Sequence, residues 1–177
     1  MPPEGNHVTD RPDDLRKQML DQILDCGCVI QFVPADAQSV LHGAMPYAYT
    51  AGRTLSGRPE FLVTGLTIEM SKAFLNELIR LDSEHGGLPI EEAVVGFFAT
   101  LDIDGVKIKV KVISASPSPL LGAMAVFGAT AVTALQALWP RKSPGLGQDY
   151  PSPDDKWPDQ PIHPFGRTPL VDKDPYA

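Results

Sequence analysis

The residue types best suited to chemistry are concentrated in the nineteen positions from His42 to Glu60. An imidazole, two phenols, a threonine hydroxyl, two guanidiniums and a carboxylate occur there: His42, Tyr47, Tyr49, Thr50, Arg53, Arg58 and Glu60. Imidazole and phenol groups transfer protons, whereas guanidiniums bind anionic oxygens. The segment therefore predicts a site for a small polar or anionic ligand, with His42 and Tyr49 as candidate catalytic groups.

The other members of this set are predicted to bind the ligand, together with two residues from later segments. The predicted ligand-binding residues are Tyr47, Thr50, Arg53, Arg58, Glu60, Trp139 and His163. A purely structural interpretation is equally compatible with the sequence. In it the two tyrosines pack half-buried on one face of a strand, and Arg58 with Glu60 forms a surface ion pair of little energetic value.

The common catalytic motifs are absent from this sequence. It has no nucleophile-elbow serine, phosphate-binding loop or dinucleotide-binding glycine pattern. The four histidines lack metal-site spacing, and Asp102 with Asp104 is better explained by a turn than by a cation. We therefore predict no metal and no cofactor.

The overall charge argues against nucleic acid as a partner. A formal net charge of −7 provides no broad surface for a phosphate backbone, so no nucleic-acid partner is expected.

Cys26 and Cys28 are the only cysteines, and their C-x-C spacing is poor for a disulfide or a zinc site. Reduced thiols and an N-terminus without an apolar signal region predict a cytoplasmic protein.

The periodicity of apolar residues predicts most of the secondary structure. Helices are expected from Asp13 to a stop at Gly27 and from Thr67 to about Leu81. The five predicted strands are Cys28–Val33, Tyr47–Ala51, Glu60–Thr64, Val94–Ile103 and Val106–Ile113. The last two flank Asp104-Gly105, a strong hairpin signal, and lysines alternate along the second. We interpret Lys107, Lys109 and Lys111 as the solvent side of an edge strand.

The uncharged run Leu120–Trp139 is long enough to span a bilayer. Because it is rich in Ala, Gly and Thr, we predict a third, buried helix of a soluble domain and no membrane partner. Half of the 18 prolines lie from Pro140 onward, which predicts an extended tail. The predicted organisation is a disordered lead (1–12), an α+β domain (13–140) with a mixed or antiparallel sheet of about five strands and three helices, and a proline-rich tail (141–177) at least partly packed on the domain.

Three blocks of sequence resemble a known family. Pro46-Tyr-Ala-Tyr-Thr-Ala-Gly52 followed by Arg58-Pro-Glu-Phe-Leu-Val-Thr-Gly65 is similar to the signature of domain of unknown function 4262, a family of bacterial and phage proteins. Ala134–Pro140 and Gln160-Pro161 resemble two later blocks. Relatives tend to have an apolar residue where this chain has Arg53, and histidine where it has Arg58. The resemblance implies a soluble protein and carries no activity with it.

Two functions are compatible with these observations. One is a protein that binds or modifies a small anionic ligand at the His42–Glu60 segment. The other is a non-catalytic interaction module, for instance an accessory protein in phage–host conflict, whose tail docks on a protein partner through Trp157 and Phe165. A homo-oligomer is compatible with either.

Overall fold

The structure is a computed structural model that describes residues 12–36, 45–143 and 147–149. The helices are α1 (Pro12–Cys26), α2 (Ile68–Glu84) and α3 (Leu121–Phe127). The strands are β1 (Val29–Val33), β2 (Tyr47–Ala51), β3 (Glu60–Thr64), β4 (Phe97–Ile103), β5 (Val106–Ala115), β6 (Ala134–Leu138), β7 (Arg141–Ser143) and β8 (Gly147–Asp149). Short 3-10 turns cover Arg53–Ser56 and Ile90–Val94.

Six strands form one mixed sheet in the order β1-β2-β3-β6-β5-β4. Every neighbouring pair is antiparallel except β3 and β6, which are parallel. The strands β7 and β8 pair with each other in a separate two-stranded sheet. The predicted α+β class, with a mixed sheet and three helices, is confirmed.

The sheet is covered on both faces, and the side chains of its central strands point alternately into two hydrophobic cores. Phe61 and Val63 of β3 pack with α2, in a cluster that contains Phe74, Leu75 and Leu78. Leu62 points to the other face and packs with residues of α1 and α3, among them Ile23, Ala123 and Val126. A strand buried on both faces has apolar residues without alternation, as the consecutive Phe61, Leu62 and Val63 of β3 show.

The ends of α1 and α2 follow the expected local chemistry. Gly27 ends α1 with a φ of 77°, and its N–H donates to the carbonyl of Ile23. Thr67 caps α2 by accepting a hydrogen bond from the Met70 amide at 3.3 Å. Both predicted boundaries are confirmed.

The prediction of one helix over Leu120–Trp139 is wrong. A helix of only seven residues, α3, ends at Gly128 with a φ of 86°, and the chain then forms β6 between β3 and β5. All five residues of β6 are buried. A short apolar run in a doubly covered strand has the same composition as a buried helix, so the pattern did not distinguish them. Over the described ranges, no helix is long and apolar enough to cross a bilayer.

The hairpin at Asp104-Gly105 is confirmed, but the edge-strand interpretation of its lysines is wrong. Both turn residues have positive φ angles, 51° and 82°, as a tight two-residue turn requires. The strand that carries the lysines, β5, lies between β6 and β4. Lys107 instead pairs with Asp102 at 2.9 Å, and Lys109 lies over the Phe98 ring.

The predicted lead and tail lie outside the described residues, apart from Pro12, β7 and β8. Their boundaries therefore stay predictions.

Candidate functional site

The connection between β2 and β3 forms a tight polar turn. It begins at Gly52, whose φ of 128° suits glycine alone. A Cβ there would lie 2.6 Å from the Gly27 carbonyl oxygen, so the end of α1 presses directly on this residue. The 3-10 turn closes at Gly57, in the left-handed region, and Arg58 N–H then donates to the Arg53 carbonyl. The backbone thus brings Arg53 and Arg58 close together.

The carboxylate of Glu60 holds this turn from inside. It is completely buried and accepts four hydrogen bonds. Its Oε1 binds Gly52 N at 3.0 Å, Thr54 N at 2.9 Å and Thr54 Oγ1 at 2.8 Å, while Oε2 binds Thr50 Oγ1 at 2.7 Å. The alternative of a surface pair between Arg58 and Glu60 is therefore wrong.

Arg53 extends from this turn toward α2. Its Nε donates to the Pro59 carbonyl at 2.8 Å, and its Nη2 donates to Asp82 Oδ2 at 2.6 Å. The guanidinium also lies over the Phe61 ring, 4.1 Å from the centroid. Arg53 is buried, so its charge is neutralised mainly by Asp82.

Asp82 connects the two arginines to the end of α2. Its Oδ2 accepts from Arg58 Nη1 as well as from Arg53, and its Oδ1 accepts from the Leu88 amide at 2.8 Å. Burial raises the pKa of Asp82, but the hydrogen bonds from Arg53, Leu88 and Arg58 outweigh this effect and leave the pKa below its usual range. Asp82 is an ionised carboxylate shared by two cations.

A surface cleft of ≈ 440 Å³ opens at this cluster. Its lining residues are Gly27, Cys28, Arg53, Ser56, Arg58, Asp82 and Ser83. The volume is within the range of small-molecule sites. Burial, followed by the Glu60 charge, raises the pKa of Cys28 to about 11, so the thiol in this cleft is protonated at neutral pH.

The two tyrosines lie on the opposite side of the sheet from this cleft. Tyr49 is 4% exposed, and its hydroxyl oxygen accepts from the Gly122 amide at 2.9 Å. Tyr47 donates to the Pro119 carbonyl at 3.2 Å, and the two rings stack with centroids 6.3 Å apart. Burial raises the pKa of both phenols. Both hydroxyls hold the segment that leads into α3, and neither reaches the arginines.

Trp139, a further predicted site residue, is also separate from the cleft. Trp139 donates from Nε1 to the Thr64 carbonyl at 3.0 Å, at the far end of β3 from Glu60. His42 and His163 lie outside the described residues. The structure thus brings together Thr50, Arg53, Arg58 and Glu60 from the predicted set.

Sequence reasoning missed Asp82 and the contribution of Cys28 to the cleft. A signal for Asp82 was present, since it follows Leu75 and Leu78 at helical spacing and so occupies the buried stripe of α2. A carboxylate in the last turn of a helix also opposes the helix dipole and needs a cation nearby. Within the described ranges, no three His, Cys, Asp or Glu side chains form a group that could hold a metal ion.

Fold and site together define an α+β protein whose β2–β3 turn is locked by a buried glutamate and presents two arginines to a cleft. Three residues of this lock, Thr50, Gly52 and Glu60, belong to the sequence signature described above. Residues 22–146 match the model of the family described as Domain of unknown function (DUF4262), and the chain belongs to that family. No curated protein and no solved structure matches this chain significantly.

Proposed function

We propose that this protein binds a small anionic organic molecule in the cleft at Arg53 and Arg58. One observation carries the proposal: two guanidiniums converge on a single oxygen of Asp82 at the wall of a cleft. Two cations against one lining carboxylate leave an excess of one positive charge. Such an excess beside open space favours an anionic guest.

The rigidity of the turn supports the same proposal. Glu60 fixes the backbone on both sides of Arg53, and Thr50 Oγ1 binds both the Glu60 carboxylate and the Phe61 amide. Side chains locked in this way lose little conformational entropy when a ligand binds. The buried polar residues of the signature therefore act as positioning residues for the arginines.

The test is a thermal-shift screen of small carboxylates, sulfonates and phosphates against their neutral amides at constant ionic strength. A ligand present at 100 times its Kd stabilises the folded state by about 2.7 kcal/mol. We expect anions to raise the Tm of the wild type and of Arg80→Ala, a control on α2, but not of Arg58→Ala. Equal shifts for Arg58→Ala and the wild type would contradict the proposal.

A non-catalytic interaction module is the second candidate. It is favoured by apolar side chains exposed just before β4: Val94 and Val95 are each 80% exposed, and Ile90 is 46% exposed. Exposed apolar patches often mark protein contacts, and self-association is the simplest such contact. Sedimentation of the wild type beside a Val94→Lys, Val95→Lys double variant tests it, with a monomeric wild type as the contrary result.

We further propose a reducing cytoplasm in a bacterium or phage-infected cell as the setting. The free thiols of Cys26 and Cys28 support the reducing compartment.

A further inference from the structure

The edge of the Arg58 guanidinium that faces away from Asp82 is open. Only Nη1 of Arg58 contacts Asp82, at the side-chain Oδ2 and the backbone carbonyl. Among the described residues, neither Nε nor Nη2 of Arg58 donates to a protein atom, and 35% of the side chain is exposed. Nε–H and Nη2–H point the same way and form a planar fork that fits the two oxygens of a carboxylate.

The same fork is occupied in two other arginines of this chain. Arg80 donates from Nε and Nη2 to the two carboxylate oxygens of Glu77, at 2.8 and 2.7 Å. Arg53 uses its fork for the Pro59 carbonyl and Asp82 Oδ2. Arg58 therefore differs from both, since its Nε and Nη2 have no protein acceptor among the described residues and the residue lines a cleft.

The charges around the cleft limit the guest to a single negative charge. Arg53 and Arg58 exceed the lining carboxylate Asp82 by one positive charge. Glu60 does not line the cleft, and its carboxylate oxygens accept four hydrogen bonds from Thr50, Gly52 and Thr54, so only Asp82 is counted against the two arginines. The second charge of a phosphate dianion would be repelled by the Asp82 carboxylate without a cation to compensate it, whereas the single charge of a monoanion is matched by the excess positive charge.

We propose that the ligand of this cleft is a monocarboxylate, bound through both oxygens to Nε and Nη2 of Arg58. This inference rests on the proposed anion site and specifies the chemical class of its ligand. Asp82 is then a positioning residue, because it holds Nη1 and so orients the fork toward the cleft. The protonated thiol of Cys28 and the hydroxyl of Ser56 line the same space without adding charge.

The experiment is an NMR titration that follows the arginine Nε–Hε signals of the wild-type chain. The probes are butyrate, the equally charged but tetrahedral propanesulfonate, the neutral butyramide and inorganic phosphate. Butyrate should shift the Arg58 signal, leave the Arg80 signal unchanged, and bind about tenfold more tightly than propanesulfonate. Arg58→Lys, which keeps the charge and loses the fork, should weaken butyrate binding about tenfold or more, read from backbone amides near the cleft. The matched Arg80→Lys should not.

The outcomes separate this inference from the proposed function. One contrary result is that propanesulfonate or phosphate binds as well as butyrate, and another is that Arg58→Lys binds butyrate as tightly as the wild type does. Either result would support the anion site but contradict the proposal that a carboxylate binds to Nε and Nη2 of Arg58. If no anion shifts Arg58 at millimolar concentration, the anion site itself is wrong. Acetyl-Ala-Ala with a free carboxylate distinguishes the two sources of this group: tighter binding than butyrate identifies a peptide end, and weaker binding identifies a small acid.

Discussion

Thr50 and Glu60 are joined by a buried hydrogen bond of 2.7 Å between Thr50 Oγ1 and Glu60 Oε2. The same Thr50 oxygen accepts the Phe61 amide at 2.8 Å, so one hydroxyl links a strand and a carboxylate. The other carboxylate oxygen of Glu60 accepts three more hydrogen bonds, all from the turn that carries Arg53. Thr50, Gly52, Glu60 and Phe61 belong to the family signature, and their contacts show that these signature residues shape the turn.

Replacing Glu60 by glutamine should destabilise the fold strongly. An amide nitrogen in place of one oxygen would face a donor, and a buried donor without an acceptor costs about 1–3 kcal/mol, more where a charged group was bound. We expect a loss of about 3 kcal/mol in the free energy of unfolding by urea. Glu84→Gln is the control, because Glu84 is an exposed partner of Arg80 and should change stability by less than about 1 kcal/mol. Similar losses for the two variants would show that the lock contributes little.

A methyl group on Gly52 should be far more costly than one on Gly57. Both positions have positive φ, 128° and 68°, so both alanines carry backbone strain of about 1 kcal/mol. Only at Gly52 does the added Cβ also meet backbone, 2.6 Å from Gly27 O, whereas nothing lies within 4 Å at Gly57. Gly52→Ala should therefore lose about 2 kcal/mol more than Gly57→Ala in urea unfolding. Equal losses would mean that the end of α1 moves freely away from the turn.

Much of the fold was predictable because it is encoded locally. The Asp104-Gly105 hairpin, the Gly27 stop and the Thr67 cap each depend on neighbouring residues, and each is confirmed. The position of β6 depends instead on β3 and β5, which cover it on both sides. An apolar run without alternation does not reveal such neighbours, and for this reason the helix prediction over that run failed.

The site was predictable as a segment but not as a geometry. Side chains of successive strand residues point to opposite faces of the sheet, so Tyr49 and Thr50 lie on different faces. Tyr49 reaches α3, and Thr50 joins the glutamate lock. Asp82 completes the site from a helix 22 residues after Glu60, and only the packing of α2 against the sheet brings it there. Residues that are close in the sequence, such as Tyr49 and Thr50, therefore lie on opposite faces of the sheet and do not form one site.

Asp82→Asn should remove part of the acid sensitivity of the fold. The pKa of Asp82 is lowered in the folded state, so its stabilising effect is present above the unfolded pKa of about 4 and is lost as pH falls through the folded value. Near pH 7 the variant leaves the buried Arg53 without its carboxylate, a cost of about 3 kcal/mol or more. The stability gap between wild type and variant should shrink below pH 4. Asp102→Asn, a control at a partly exposed ion pair with Lys107, should show a small gap near pH 7. A gap for Asp82→Asn that is constant from pH 7 to pH 3 would rule out this role.

The two thiols should react with alkylating reagents at very different rates. Cys26 is exposed at the end of α1, whereas Cys28 borders the arginine cleft with a pKa of about 11. Because the thiolate is the nucleophile, only about one Cys28 in a thousand is reactive at pH 8. Iodoacetamide should therefore modify the Cys28→Ser variant much faster than the Cys26→Ser variant, as followed by intact mass. Comparable rates would show that the arginines overcome the burial of Cys28, and the cleft would then contain an activated thiol. Slow modification of Cys28 that slows further with butyrate present would connect this thiol to the ligand site at Arg58.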